Sequence, residues 1–165
     1  MATVRPARLD DLAAFVDIYN HYVESTHFTF DTEPFSVATR RPWFDQFDNA
    51  RHRCFALTDA ATVIGYACSA QLKPKPAYAT SVEVSIYLSP NATGRGSGGA
   101  LYDALFASLV GGDVHRAYAL IALPNAPSIA FHTRFGFAEV AHLTEVGRKF
   151  DRYWDVVWLE KALPR

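Results

Sequence analysis

The chain has 165 residues, 50% of them hydrophobic and 14% aromatic, with a formal net charge of -1. That length and composition predict one folded domain, spanning 1–165, with a sizeable core, and exclude a disordered tail. The near-neutral charge excludes the basic footprint of a nucleic-acid binder. No apolar run reaches the roughly 18 residues of a membrane helix and the first residues lack an apolar signal core, so a cytoplasmic protein is expected.

Residues 3–8 read as a short strand, and Asp10-Asp11 as a helix-start signal. Leu12, Phe15, Val16, Tyr19, Tyr22 and Val23 then recur at helical spacing. Residues 27–34, aromatic and threonine-rich, read as a loop or extended piece. A second helix is predicted over 37–47, with Pro42 placed to kink it. Residues 54–57 and 63–70 form a strand pair around a turn at Asp59-Ala60-Ala61. Cys54 and Cys68 lie one in each strand; without CxxC spacing they are expected as reduced core residues rather than redox or zinc ligands. Lys73-Pro74-Lys75-Pro76 breaks regular structure.

The most informative stretch follows. Val82-Glu83-Val84-Ser85-Ile86-Tyr87-Leu88 has the β-branched and aromatic content of a strand. Thr93-Gly94-Arg95-Gly96-Ser97-Gly98-Gly99 is a glycine-rich turn, and residues 100–110 repeat apolar side chains at helical spacing. A strand, a glycine turn and a helix start together make an anion site. Glycine lets the backbone approach the guest, and free N–H groups point at it from the positive end of the helix dipole. A phosphate or pyrophosphate is the guest this predicts. Ser97 belongs to that turn rather than to a nucleophile elbow, since no Gly-x-Ser-x-Gly is present. The turn lies mid-chain after three strands, not after the first strand of a βαβ unit, which argues against a dinucleotide fold.

Residues 117–123 read as a strand, 127–135 as a helix stopped by Gly136, and 137–146 with 153–159 as a closing strand pair. The order β-α-α-β-β-β-α-β-α-β-β is mixed α/β. His27, His52, His115 and His142 are too scattered for a metal site, so no metal is expected.

Thr93-x-x-Gly96-x-Gly98 resembles the pyrophosphate loop of the GCN5-related N-acetyltransferase superfamily, with Thr93 replacing that loop's Gln or Arg. Leu123-Pro124-Asn125-Ala126-Pro127-Ser128, then Phe131-His132 and Phe135-Gly136-Phe137, resemble its next strand and helix. The likeness is closest to phosphinothricin and methionine sulfone or sulfoximine N-acetyltransferases. It rests on Ile18-Tyr19-Asn20-His21-Tyr22, Phe30-Asp31-Thr32-Glu33-Pro34, Tyr87-Leu88-Ser89-Pro90 and Val146-Gly147-Arg148-Lys149-Phe150 with Asp155.

The resemblance implies an α/β (α+β) fold: a mixed sheet of about seven strands, splayed at a cofactor cleft, with about four flanking helices. It implies acetyl-coenzyme A as co-substrate, a small amine as acceptor, and a homodimer. Ile86, Tyr87 and Leu88 would meet the pantetheine arm through their backbone, Gly94, Arg95, Gly96, Ser97, Gly98 and Gly99 would hold the pyrophosphate, and Asn125 would touch the cofactor arm.

Acyl transfer needs a neutral amine, whereas a free α-amino group has a pKa of about 8. Glu83 stands where the resemblance puts the general base, the bland reading being an exposed edge-strand charge. His132 stands where many relatives have tyrosine, as an acid for the leaving sulfur, a substrate contact or a packing residue. Phe30, Lys73, Lys75, Glu83, Val84 and Ser85 are the expected acceptor site, the two lysines as cations for an anionic acceptor or as solvated loop residues. Another small amine, a polyamine or an aminoglycoside for example, and a non-catalytic acyl-coenzyme A sensor remain the alternative functions.

Overall fold

The computed structural model describes residues 2–47, 49–94 and 96–164. Seven strands and four helices follow one another as β1 (Thr3–Pro6), α1 (Leu12–Ser25), α2 (Val37–Phe44), β2 (Cys54–Asp59), β3 (Thr62–Gln71), β4 (Ser81–Leu88), α3 (Ser97–Leu109), β5 (Arg116–Ala122), α4 (Ala126–Arg134), β6 (Ala138–Lys149) and β7 (Arg152–Ala162). The sheet order is β1-β2-β3-β4-β5-β7-β6, with β4–β5 the parallel pair and the other five neighbouring pairs antiparallel.

Period-two alternation divides the sheet between two cores. On one face Val82, Val84, Ala117, Ala119 and Ile121 pack against Leu101, Tyr102, Leu105 and Leu109 of α3. On the other, Ala56, Tyr66 and Cys68 pack against Phe15 and Ile18 of α1, with Trp43 and Phe44 of α2 half-buried beside them. Tyr102, Leu101, Leu105, Phe15 and Tyr66 are fully buried, each contributing about 1.5–3 kcal/mol from its apolar area. Arg5 grips Asp11 through two hydrogen bonds of 2.7 and 2.8 Å, which ties β1 to the start of α1.

Several boundaries differ from the sequence reading. α2 ends at Phe44 rather than 47; it keeps Pro42 inside and has no fully buried residue. β6 runs to Lys149, past 146, and turns into β7 through Phe150 and Asp151 at positive φ. α3 starts at Ser97, so Ser97, Gly98 and Gly99 are its first turn and not the loop before it. Cys54 and Cys68 face each other across β2–β3, buried and unbridged, and burial pushes the Cys68 thiol up to about 12. Among the described residues no helix is long and apolar enough to cross a membrane, and no cluster of His, Cys, Asp and Glu could hold a metal.

Candidate active site

The sheet comes apart at one place. β4 and β5 pair only over Ser81–Arg116, Val82–Ala117 and Glu83–Tyr118. Beyond Glu83, β4 stays with β3 as far as Leu88, while β5 stays with β7 as far as Ala122. The facing backbone groups of the two strands are thus left without a strand partner, a cost that a guest able to hydrogen-bond along the strand would offset.

On the α3–α4 face this gap opens into a cavity of about 890 Å³. Its lining includes Ile86, Tyr87, Leu88, Gly94, Gly96, Ser97, Gly98, Gly99, Asn125 and His132. Gly96 is the N-cap of α3 at φ 75, and no side chain caps the helix. Gly99 N–H bonds back to the Gly96 carbonyl at 3.2 Å, so the Ser97 and Gly98 amides, at N1 and N2, are the open donors. An uncapped helix start on a cavity wall suits an external anion. Thr93 donates its hydroxyl to the Pro90 carbonyl at 3.0 Å and so braces the turn from outside. Asn125 accepts from Ser128 N–H at 3.3 Å as the cap of α4. The Leu88 carbonyl already accepts from Tyr22 at 2.6 Å. Arg95 lies outside the described residues.

A second cavity of about 430 Å³ lies on the α1–α2 face. Phe28, Ser85, Tyr87 and Leu120 line both cavities, so the gap in the sheet is their common wall. Glu83 and Phe30 border this second cavity; the Phe30 ring lies so close to Gly147 that a Cβ there would sit 2.0 Å from it. Burial pushes the Glu83 carboxyl above its ordinary value, and the positive charge of Lys73 offsets part of that rise. Tyr19 bonds both Asp31 and, at 2.6 Å, Thr29, while buried Lys149 donates to the Thr29 carbonyl at 2.8 Å. Those bonds pin the loop that carries Phe30.

Three expected residues stand elsewhere. Lys73 and Lys75 are exposed and absent from the second cavity's lining, with Lys73 Nζ over the Trp158 ring at 5.5 Å. Side-chain alternation sends Val84 into the α3 core, where it lines the first cavity instead. The pocket also holds a residue that sequence reasoning passed over: Arg40 of α2.

His132 is 3% exposed. Its Nδ1 lies 2.8 Å from the Ser128 carbonyl, which can only accept, so Nδ1 carries the proton. Nε2 then accepts from the Tyr102 hydroxyl at 2.8 Å. Both ring nitrogens are engaged, and burial lowers the imidazole's pKa, with the Ser128 bond working the other way. A lowered folded pKa means that the unfolded chain takes the proton first, so stability is lost as pH falls below about 6.5. His132→Leu is expected to cost about 1–3 kcal/mol near pH 8, from the unpaired Tyr102 hydroxyl. Urea unfolding of both proteins checks this, and the difference should shrink towards pH 5.

The GNAT acetyltransferase domain model matches residues 4–158. A phosphinothricin N-acetyltransferase of Streptomyces coelicolor is 51% identical over 163 residues, 97% of this chain and 95% of that protein. An L-methionine sulfoximine/L-methionine sulfone acetyltransferase of Pseudomonas paraeruginosa is 32% identical over 98% of this chain and 95% of its own length. The crystal structure of a GNAT superfamily phosphinothricin acetyltransferase from Sinorhizobium meliloti, in complex with acetyl-coenzyme A, superposes with a TM-score of 0.93 at 31% identity. It covers 98% of this chain and 88% of that one.

Proposed function

The chain belongs to the GNAT acetyltransferase family, and we propose that it transfers acetyl from acetyl-coenzyme A to the amino group of a small amino-acid analogue, with phosphinothricin, methionine sulfoximine and methionine sulfone as leading acceptors. The observation that carries this reading is the pair of cavities on opposite faces of the sheet, joined through the gap that begins at Glu83. One suits a long donor with an anionic end, the other a small acceptor beside a carboxylate. The names of the relatives support the acceptor class.

The Ser97 and Gly98 amides would hold the donor's diphosphate, and the β4 edge from Ile86 to Leu88, apart from the Leu88 carbonyl that Tyr22 already occupies, its amide-bearing arm. Acetyl-coenzyme A supplies an acyl group whose thiol, with pKa about 8.5, leaves without a strong acid. Glu83 takes one proton from the acceptor's ammonium, directly or through water, and frees the nitrogen lone pair to form the C–N bond; as the C–S bond breaks, the nitrogen sheds a second proton, which the departing thiolate takes up. A backbone N–H on the free edge of β4 stabilises the negative charge that develops on the carbonyl oxygen. With both ring nitrogens engaged, His132 holds α4 against α3 and does not serve as the acid.

We read the protein as cytoplasmic and homodimeric. The exposed Val140, Val146, Phe150 and Tyr153 along β6–β7 support a self-association surface, which sedimentation tests. The activity is tested by thiol release from acetyl-coenzyme A over amino acids, their sulfone and sulfoximine analogues, phosphinothricin and polyamines. Turnover is expected with the analogues. Turnover confined to polyamines, or absent throughout, overturns the assignment.

A further inference from the structure

Among the residues lining the acceptor cavity are one acidic and one basic side chain, Glu83 and Arg40. The Arg40 guanidinium sits 4.3 Å from the Tyr19 ring centre, 4.7 Å from that of Phe35 and 4.2 Å from that of Trp43. It makes no side-chain hydrogen bond or ion pair among the described residues. Aromatic faces attract the cation and restrict its orientation, but they accept none of its five N–H donors in the plane. A half-buried guanidinium on a cavity wall, held by rings and unpaired, is set up for a planar anion that takes two N–H bonds at once.

We propose that Arg40 is the specificity-determining residue of the acceptor site, receiving the acceptor's carboxylate while Glu83 faces its ammonium. This rests on the amino-acid reading above and adds the requirement that the acceptor be a zwitterion. A polyamine or an aminoglycoside would satisfy Glu83 and leave Arg40 unpaired, so the two charges together select against polycations.

The test compares methionine sulfone with its α-carboxamide, which keeps the amine and side chain but lacks the carboxylate charge. For Arg40→Met, which retains an apolar stem against the rings, the expected KM for the free acid rises about tenfold or more with little change in kcat. The carboxamide is expected to be unaffected, so the acid-to-amide ratio of kcat/KM falls by the same factor. Coenzyme A affinity measured by calorimetry should stay within about twofold, showing an intact fold, and Arg40→Lys should recover part of the ratio. An unchanged ratio in Arg40→Met, with amino acids still acetylated, overturns the role of Arg40 alone. A wild type that acetylates polyamines and no amino acid overturns the amino-acid reading together with it.

Discussion

Glu83→Gln is expected to lower kcat by about a hundredfold or more, in the range general-base removal gives, while coenzyme A binding measured by calorimetry stays within about twofold. The substitution keeps the shape of the side chain and removes only its ability to take a proton. Because burial raises the Glu83 pKa, wild-type kcat/KM should fall on the acid side through a value above the ordinary carboxylate range. That limb should vanish in the variant. Stability should move in the opposite sense to activity. A carboxyl whose folded pKa exceeds its unfolded one loses stability as pH rises through that window, and carries the full penalty above it. Glu83→Gln removes the penalty, so its melting temperature near pH 8 should equal or exceed the wild type's. Undiminished turnover, or a retained acid limb, would take Glu83 out of the chemistry.

Gly96→Val is expected to raise the KM for acetyl-coenzyme A by about ten- to a hundredfold and to leave the acceptor KM nearly unchanged. Gly96 has φ 75 at the cap of α3, a conformation that costs a residue with a Cβ about 1–2 kcal/mol and a β-branched one more. Among the described residues, its chain neighbours apart, no atom lies within 4 Å of the site of the new Cβ, so the effect comes from backbone strain and not from a clash. Relief of that strain turns the Ser97 and Gly98 amides away from a common point, and each charge-assisted bond lost is worth about 1.5–3 kcal/mol. Titration calorimetry with coenzyme A reads the loss directly. Wild-type affinity in the variant would show that the diphosphate is held elsewhere.

Much of this architecture was legible in the residues. The strand at 82–88, the glycine turn and the stripe from Leu101 to Leu109 were visible because each follows a local rule: alternation, backbone permissiveness, helical period. The glycines hid the true start of α3, since Gly98 and Gly99 have low helix propensity and are carried into the helix by packing. The far end of β6 was hidden for a related reason. Gly147, which the close approach of Phe30 requires, reads locally as a break.

The acceptor site was less legible than the donor cleft. The glycine turn is built from consecutive residues, whereas the second cavity takes its walls from α1, α2, β3, β4, β5 and β7 and from the 26–36 loop. Arg40, next to Arg41 on a short polar helix, reads as a solvated charge; only the fold brings Tyr19, Phe35 and Trp43 around it. The paired lysines stood out because prolines flank them in a single loop; in the fold both are exposed, and Lys73 reaches the cavity through its charge on Glu83. His132 was ambiguous for want of its partners, as Tyr102 lies thirty residues earlier in another helix.

A crystal structure with coenzyme A bound will show whether the gap opening beyond Glu83 takes the thioester donor between β4 and β5. The diphosphate is expected within hydrogen-bonding distance of the Ser97 and Gly98 amides, and the pantetheine arm along Ile86–Leu88. Coenzyme A bound outside that gap, with those amides facing only solvent, would contradict that placement.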